Sequence, residues 1–289
     1  MYRLPNAPGA GNLWLRMADR ETQINWQGRS MTSRLLTVKL TLVIATLLAV
    51  TALSLGQDPT PTTKPIYVRT GYEATISGTI TLTGKRPKER SIDASPDPIC
   101  TEVNPDLTTE WAVGQKGKLA NVFVYVKSDA LAYYAFEQPD AIAILEHKGC
   151  RYAPHLLGIR TGQLLTIVNS DPTQHNTHPT PKMNPEWNQT QPEGGPPLTK
   201  TFKHAETFIP FKCNQHPWEK AYVGVFDHPF FAISDESGNY RMEGLPPGHY
   251  TVVAWHERFG EKTVDVQLVA GEARAVSFDF DAEKDSAWK

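Results

Sequence analysis

Cysteine is scarce in this sequence, which has three cysteines, Cys100, Cys150 and Cys213, among 289 residues. Three cysteines are too few for a small scaffold that is held together by many disulfides. An odd number also leaves one thiol over once two have paired. We expect a disulfide between Cys100 and Cys150, with a metal-ligand role for Cys150 as the alternative. Cys213 is then the leftover thiol, and a bound metal is one reason to keep it.

Strong positive charge is also absent, because the formal net charge is −2 at pH 7. This balance gives no electrostatic footprint for nucleic acid, so we expect no nucleic-acid partner. No long helical pattern is present either. Instead, short runs rich in β-branched residues, such as 75–82, 119–127 and 221–226, recur about every ten residues between Gly and Pro turns. This spacing predicts an all-β sandwich or barrel, in which 199–202 and 206–210 would form a hairpin.

The longest apolar run, residues 40–55, is shorter than the roughly 20 residues that span a membrane. Basic residues precede the run and small residues, Ser54 and Gly56, end it, as in a secretory signal peptide. We therefore expect 1–56 to be a mis-called extension before Met31 plus a signal, and the protein to be periplasmic or otherwise extracytoplasmic. An uncleaved membrane tether is the alternative, and 57–66 reads as a Pro/Thr-rich linker.

Two segments carry metal-binding chemistry, Asn169–His178 and Cys213–Glu219. A soft thiolate beside imidazoles selects copper or zinc over hard cations. Cys213 and His216 are close enough to bind one ion from a single tight loop. The second histidine must come from elsewhere, and His175, at the end of a predicted strand, is the best candidate.

These segments resemble the cupredoxins, in which a His-Asn pair precedes a Cys-x-x-His-Pro-x-Met loop. His175-Asn176 matches the first element and Cys213 to Trp218 the second, over roughly 149–226. The resemblance implies a Greek-key β-sandwich with one copper ion held by His175, Cys213 and His216, and braced by Asn176. It also implies a one-electron carrier rather than an enzyme, which would need a redox partner protein.

Glu219 departs from the cupredoxin pattern, which has methionine at this axial position. A carboxylate ligand would favour Cu(II) and lower the reduction potential. Otherwise Glu219 is a solvated acid on a loop. His178 and His155 are expected beside the ligands rather than among them. Two further functions stay open: a mononuclear copper enzyme or copper carrier with an open site, and a structural surface module with a vestigial site.

The C-terminal part resembles the transthyretin-like modules found beside carboxypeptidases, through Ser234 to Tyr250. Residues 76–84 are similar to the first strand of the same modules. The resemblance implies additional antiparallel strands at both ends of the sandwich, which form a small second β module. We expect a cupredoxin-like domain at 67–230 and a transthyretin-like tail at 231–289, with the first inserted within the second or fused to its edge.

Overall fold

The computed structural model describes residues 63–109 and 114–285. The expected signal or anchor within 1–56 and most of the linker at 57–66 lie outside these residues. None of the helices in the described part is both long and apolar enough to cross a membrane.

Strands make up nearly all of the regular structure in the described residues, so the predicted all-β class is confirmed. The helices there are α1 (Pro98–Val103) and a single 3-10 turn (Asp129–Tyr133). The strands are β1 (Ala74–Thr83), β2 (Phe123–Lys127), β3 (Ala143–His147), β4 (Tyr152–Ala153), β5 (Leu156–Arg160), β6 (Leu165–Asn169), β7 (His175–Pro179), β8 (Gln189–Gln191), β9 (Leu198–Lys200), β10 (Glu206–Lys212), β11 (Lys220–Phe226), β12 (Phe231–Ile233), β13 (Asn239–Leu245), β14 (Gly248–His256), β15 (Gly260–Leu268), β16 (Ala273–Ala275) and β17 (Phe278–Asp281).

These strands form four sheets that stack in layers. Sheet I has the order β13-β1-β16, with β17 also on β1, and sheet II has the order β12-β2-β14-β15. Sheet III has the order β5-β11-β10-β7-β8, and sheet IV has the order β4-β3-β6-β9. One apolar cluster lies between sheets I and II, another between II and III, and another between III and IV. Sheet II is therefore covered on both faces.

Strand β2 shows how the sequence encodes a sheet with two buried faces. Successive side chains of a strand point to opposite sides. Val124 and Val126 enter the core shared with sheet I, whereas Phe123 and Tyr125 enter the core shared with sheet III. A strand in this position needs apolar residues throughout, and the sequence Phe-Val-Tyr-Val supplies them.

The pairing of the strands does not follow a division at residue 230. Strand β1 pairs with β13, and β2 pairs with β12 and β14, so strands from both expected ranges share sheets I and II. The chain between β2 and β12 builds sheets III and IV. Along the chain, the strands of sheets I and II therefore lie before and after those of sheets III and IV.

The predicted hairpin at 199–202 and 206–210 is wrong. Strand β9 pairs with β6 in sheet IV, and β10 pairs with β7 and β11 in sheet III. The intervening Phe202 is 2% exposed and packs in the core between these two sheets. The chain crosses that core instead of turning back on itself, and residue propensity does not distinguish the two outcomes.

Two glycines allow sheets II and III to approach each other. Gly158 on β5 and Gly224 on β11 are register partners. A Cβ atom on Gly158 would lie 2.3 Å from the Phe231 ring, and one on Gly224 would lie 3.1 Å from the Phe123 ring. The missing side chains thus make room for the aromatic rings of sheet II.

Replacing Gly158 with alanine should therefore destabilise the fold. Forcing a methyl group into this contact displaces the Phe231 ring, and overpacking of this kind costs about 1–3 kcal/mol. Urea unfolding would measure the loss. Gly248→Ala is the matched control, because its added Cβ would meet nothing closer than 3.5 Å. Equal midpoints for the two variants would contradict the packing argument.

A buried histidine should make the fold sensitive to acid. Burial lowers the pKa of His256 to about 4, while an unfolded histidine titrates near 6.5. Between these values the unfolded chain takes up a proton that the folded chain does not, so His256 costs stability as pH falls from about 6.5 to 4. His256→Phe keeps a ring to stack on Phe259 and should reduce this loss. Urea unfolding midpoints of the wild type and the variant at pH 7 and pH 4.5 would test this prediction. If the midpoint falls by the same amount between the two pH values in both proteins, the prediction is wrong.

Candidate metal centre

The strand pairing brings the two predicted ligand segments together. Strand β7 begins at His175, and Lys212, the last residue of β10, pairs with His178 of β7. Because this pairing is antiparallel, the chain that continues from Lys212 into the loop 213–219 runs along β7 toward His175. The loop is closed by hydrogen bonds from Cys213 N to Glu219 O at 3.3 Å and from Glu219 N to His216 O at 2.9 Å.

Four side chains converge inside this corner. The Cys213 Sγ lies 3.6 Å from His216 Nδ1 and 4.0 Å from His175 Nδ1, and the two Nδ1 atoms are 3.0 Å apart. One carboxylate oxygen of Glu219, Oε2, lies 2.9 Å from His175 Nδ1 and 3.9 Å from His216 Nδ1. The four ligand atoms all fall within 4.8 Å of one another, and all four residues are buried. One sulfur, two nitrogens and one oxygen thus surround a single point.

A carboxylate holds the opposite edge of each imidazole. His175 Nε2 lies 3.0 Å from Asp171 Oδ2, and His216 Nε2 lies 3.0 Å from Asp97 Oδ2. Metal-binding histidines usually donate their second N–H to such a partner, which fixes the ring and leaves the inner nitrogen available as a ligand. The two rings are therefore oriented for binding at Nδ1.

Glu219 does not turn to solvent, because it is 1% exposed. Its second oxygen, Oε1, accepts a hydrogen bond from His147 Nδ1 at 2.6 Å. The other ring nitrogen of His147 lies 2.9 Å from the Thr177 hydroxyl, and the ring stacks on His175 at 4.5 Å. His147 thus holds the carboxylate so that one oxygen faces the histidines and the thiol.

Hydrogen bonds between the histidines and the acidic groups of the cluster shift the pKa values of both toward their charged forms. Burial alone lowers the pKa of both histidines, but hydrogen bonds to Asp171, Cys213 and Glu219 raise the pKa of His175 to about 11, and bonds to Cys213, Glu219 and Asp97 raise that of His216 to about 10. Burial raises the pKa of Cys213, but its bonds to the two histidines lower it overall. The pKa of Glu219 likewise ends well below its usual range, because the bonds from the histidines outweigh burial. The thiolate and carboxylate forms, which are those that bind metals, are therefore favoured, whereas His175 and His216 would each release a proton from Nδ1 when a metal binds.

Asn176 forms hydrogen bonds between the two predicted ligand segments. Its backbone N–H donates to Cys213 Sγ at 3.3 Å, and its side-chain oxygen accepts from Asn214 N at 3.1 Å. His178 points away from the cluster and bonds Glu186 Oε1 at 2.7 Å. His155 lies elsewhere, with its Nε2 2.6 Å from Glu257.

The expected disulfide between Cys100 and Cys150 is present, with a Cα–Cα distance of 5.6 Å. Cys213 is free and buried. The disulfide touches the cluster, because Cys100 Sγ lies 3.6 Å from His216 Nε2. Trp218 packs over this contact and donates from Nε1 to the Cys150 carbonyl at 3.1 Å.

Three residues that hold the candidate ligands were not predicted from the sequence: His147, Asp97 and Asp171. Asp171 lies within the segment already singled out, four residues before His175, and the strand-ending turn there could have indicated its role. His147 and Asp97 carry no local signal. His147 comes into place because β3 runs parallel to β6, and Asp97 because it caps α1 through a hydrogen bond from Ile99 N.

The donor set fits a thiophilic transition metal. One thiolate, two imidazoles and one carboxylate suit copper or zinc, whereas magnesium and calcium prefer oxygen ligands alone. The outer carboxylates on both histidines complete the arrangement expected around such an ion.

Comparison with known proteins gives one family match. The profile described as carboxypeptidase regulatory-like domain matches residues 214–281, which include β11 to β17. No curated protein matches the chain.

Among solved structures, the chain is similar to copper proteins at low identity. The copper-containing nitrite reductase from Thermus scotoductus SA-01 is 19% identical over 31% of this chain and 23% of its own, with a TM-score of 0.28. A purple cupredoxin from Nitrosopumilus maritimus is 21% identical over 29% of this chain and 99% of its own, with a TM-score of 0.26. Amicyanin from Paracoccus versutus is 17% identical over 31% of this chain and 86% of its own, with a TM-score of 0.27. The chain thus spans less than a quarter of the nitrite reductase and most of the two small proteins.

Proposed function

We propose that this chain is an exported copper protein that transfers single electrons between partner proteins. One copper ion would be held by His175, Cys213 and His216, with Glu219 as the fourth ligand. The observation that carries the proposal is the convergence of these four donor atoms within 4.8 Å. Bound copper would supply a one-electron couple between Cu(I) and Cu(II).

The surroundings of the ligands suit electron transfer because they limit movement. Asp171 and Asp97 fix the two imidazoles, and His147 fixes the carboxylate. Because these hydrogen bonds hold the rings and the carboxylate from outside, the ligands would move little when bound copper gained or lost an electron. The backbone N–H of Asn176 would moderate the charge on the thiolate.

Burial favours an electron carrier over an enzyme with an open site. His175, Cys213, His216 and Glu219 are each at most 3% exposed. Ligands this buried leave little of the ion open to a substrate, whereas an electron needs only a short distance to a docked partner protein. The disulfide supports an oxidising, extracytoplasmic location for the protein.

The first test is copper binding by the full chain without its leader. We expect one Cu(II) per protein, an intense thiolate-to-copper absorption and reversible reduction. Cys213→Ser should remove the absorption, because the thiolate is its source. A wild-type protein that retains zinc, or that shows no absorption with Cu(II), would contradict the proposal. Azide binding to the loaded protein would indicate an open coordination position, and so an enzyme instead of a carrier.

The second test concerns Glu219. An anionic oxygen stabilises the more highly charged Cu(II), so Glu219→Met should raise the reduction potential and Glu219→Gln should raise it less. Potentiometric titration of the copper absorption would measure both changes. Equal potentials in all three proteins would show that Glu219 does not bind the ion.

The third test concerns His147. His147→Phe keeps a ring against His175 but removes the hydrogen bond to Glu219, and loss of such a partner typically costs 10- to 100-fold in metal affinity. His147→Asn retains an N–H donor near the position of Nδ1 and should recover part of the loss. His178→Phe is the control, since His178 bonds Glu186 instead of the ligands. Competition with a copper chelator would measure the copper affinity of each protein. Equal affinities for the wild type and all three variants would rule out the role of His147.

A further inference from the structure

The outer side of the two histidines carries a second group of metal-binding side chains. Cys100, Asp97 and His216 place a sulfur, an oxygen and a nitrogen within 4.8 Å of one another. Within this group, His216 Nε2 lies 3.6 Å from Cys100 Sγ and 3.0 Å from Asp97 Oδ2. The Cys100 sulfur and the Asp97 oxygen thus face Nε2 of His216, whereas its Nδ1 faces Cys213.

The other half of the disulfide has an equivalent set. Cys150, Asp171 and His175 also bring one ligand atom each within 4.8 Å. Asp171 Oδ2 accepts from Cys150 N at 2.8 Å and lies 3.0 Å from His175 Nε2. The two bonded sulfurs are therefore flanked on each side by one carboxylate and one imidazole edge, and both cysteines are fully buried.

The oxidation state of the sulfurs decides what this group can bind. A disulfide sulfur is neutral and a poor ligand, whereas two thiolates form a strong, soft site for Cu(I). Together with Asp97 and Asp171 they would carry four negative charges, and His175 and His216 could balance at most two of them, so the group would favour a bound cation.

We propose that reduction of the Cys100–Cys150 disulfide creates a second metal site, which takes Cu(I) through Cys100 and Cys150 with Asp97 and Asp171 beside it. This site does not require the first one to be occupied. An external dithiol supplies the two electrons: its two S–H groups become a disulfide, and the protein S–S bond becomes two thiols. Binding of Cu(I) then releases the two thiol protons.

A reductant can reach the disulfide by a local opening. The cluster that covers it is small, consisting of Ala94 and Leu107 with the cysteines, and Ile92 and Trp218 packed at its edge. Helix α1, which carries Cys100, has six residues, and apart from Cys100 they are exposed or partly exposed. A segment with so few buried contacts belongs to the part of a fold that opens at low cost.

The test titrates Cu(I) anaerobically against a chromophoric Cu(I) chelator, in a Cys213→Ser background that removes the thiolate of the first site. The protein is compared with its disulfide closed and after treatment with dithiothreitol, which is then removed. We expect at least one Cu(I) more in the reduced form than in the oxidised form. Cys100→Ser with Cys150→Ser should abolish the difference.

A second comparison asks whether the carboxylates belong to the site. In the reduced Cys213→Ser protein, Asp97→Asn with Asp171→Asn should weaken the added Cu(I) at least tenfold. An unchanged affinity would mean that two thiols bind without a built site, and would overturn the proposal. So would a reduced protein that gains no Cu(I), or one that loses its near-ultraviolet circular dichroism on reduction.

The same measurements separate this inference from the proposed electron carrier. If the protein with Cys213 intact and the disulfide closed binds no copper, the carrier is wrong. The second site still stands if reduction of the Cys213→Ser protein adds Cu(I).

Discussion

The buried carboxylate of Glu219 is the constraint on which the metal centre depends. A carboxylate at 1% exposure needs partners for both oxygens, and here one oxygen faces His147 and the other faces His175. Removal of either histidine would leave one of these oxygens without its nearest partner, and an incompletely paired buried charge is among the costliest defects in a protein interior. The positions of β3, β7 and the 213–219 loop are thus linked through one side chain.

The same principle extends outward through the two histidine ligands. Each imidazole lies between an inner donor group and an outer carboxylate, and the outer carboxylates are held in turn. Asp171 accepts backbone N–H bonds from Gly149 and Cys150, and Asp97 caps α1. The disulfide and the short helix therefore act as supports for the ligands. These hydrogen bonds connect four separate parts of the chain in one cluster: Asp97, His147, the segment 171–175 and the loop 213–219.

The structure brings together side chains from the two predicted ligand segments, whereas the residues that support them were not predicted. His175, Cys213 and His216 stand in short patterns whose spacing has chemical meaning, and the scarcity of cysteine set Cys213 apart. His147 and Asp97 reach the centre only through sheet pairing and an insertion, which local spacing does not encode. The all-β class followed from strand-sized runs and turns. The assignment of β9 and β10 to different sheets did not, because it depends on which core Phe202 fills.

The antiparallel pairing of β2 with β12 has a consequence for the independence of the two halves of the fold. Tyr125 lies opposite Phe231, so the chain leaves sheet II and returns to it at neighbouring positions. A segment whose ends lie this close together can in general be removed without separating the strands that flank it. Here removal would also uncover the face of sheet II that bears Phe123, Tyr125 and Trp255, and leave an exposed aromatic surface in place of the contact with sheet III.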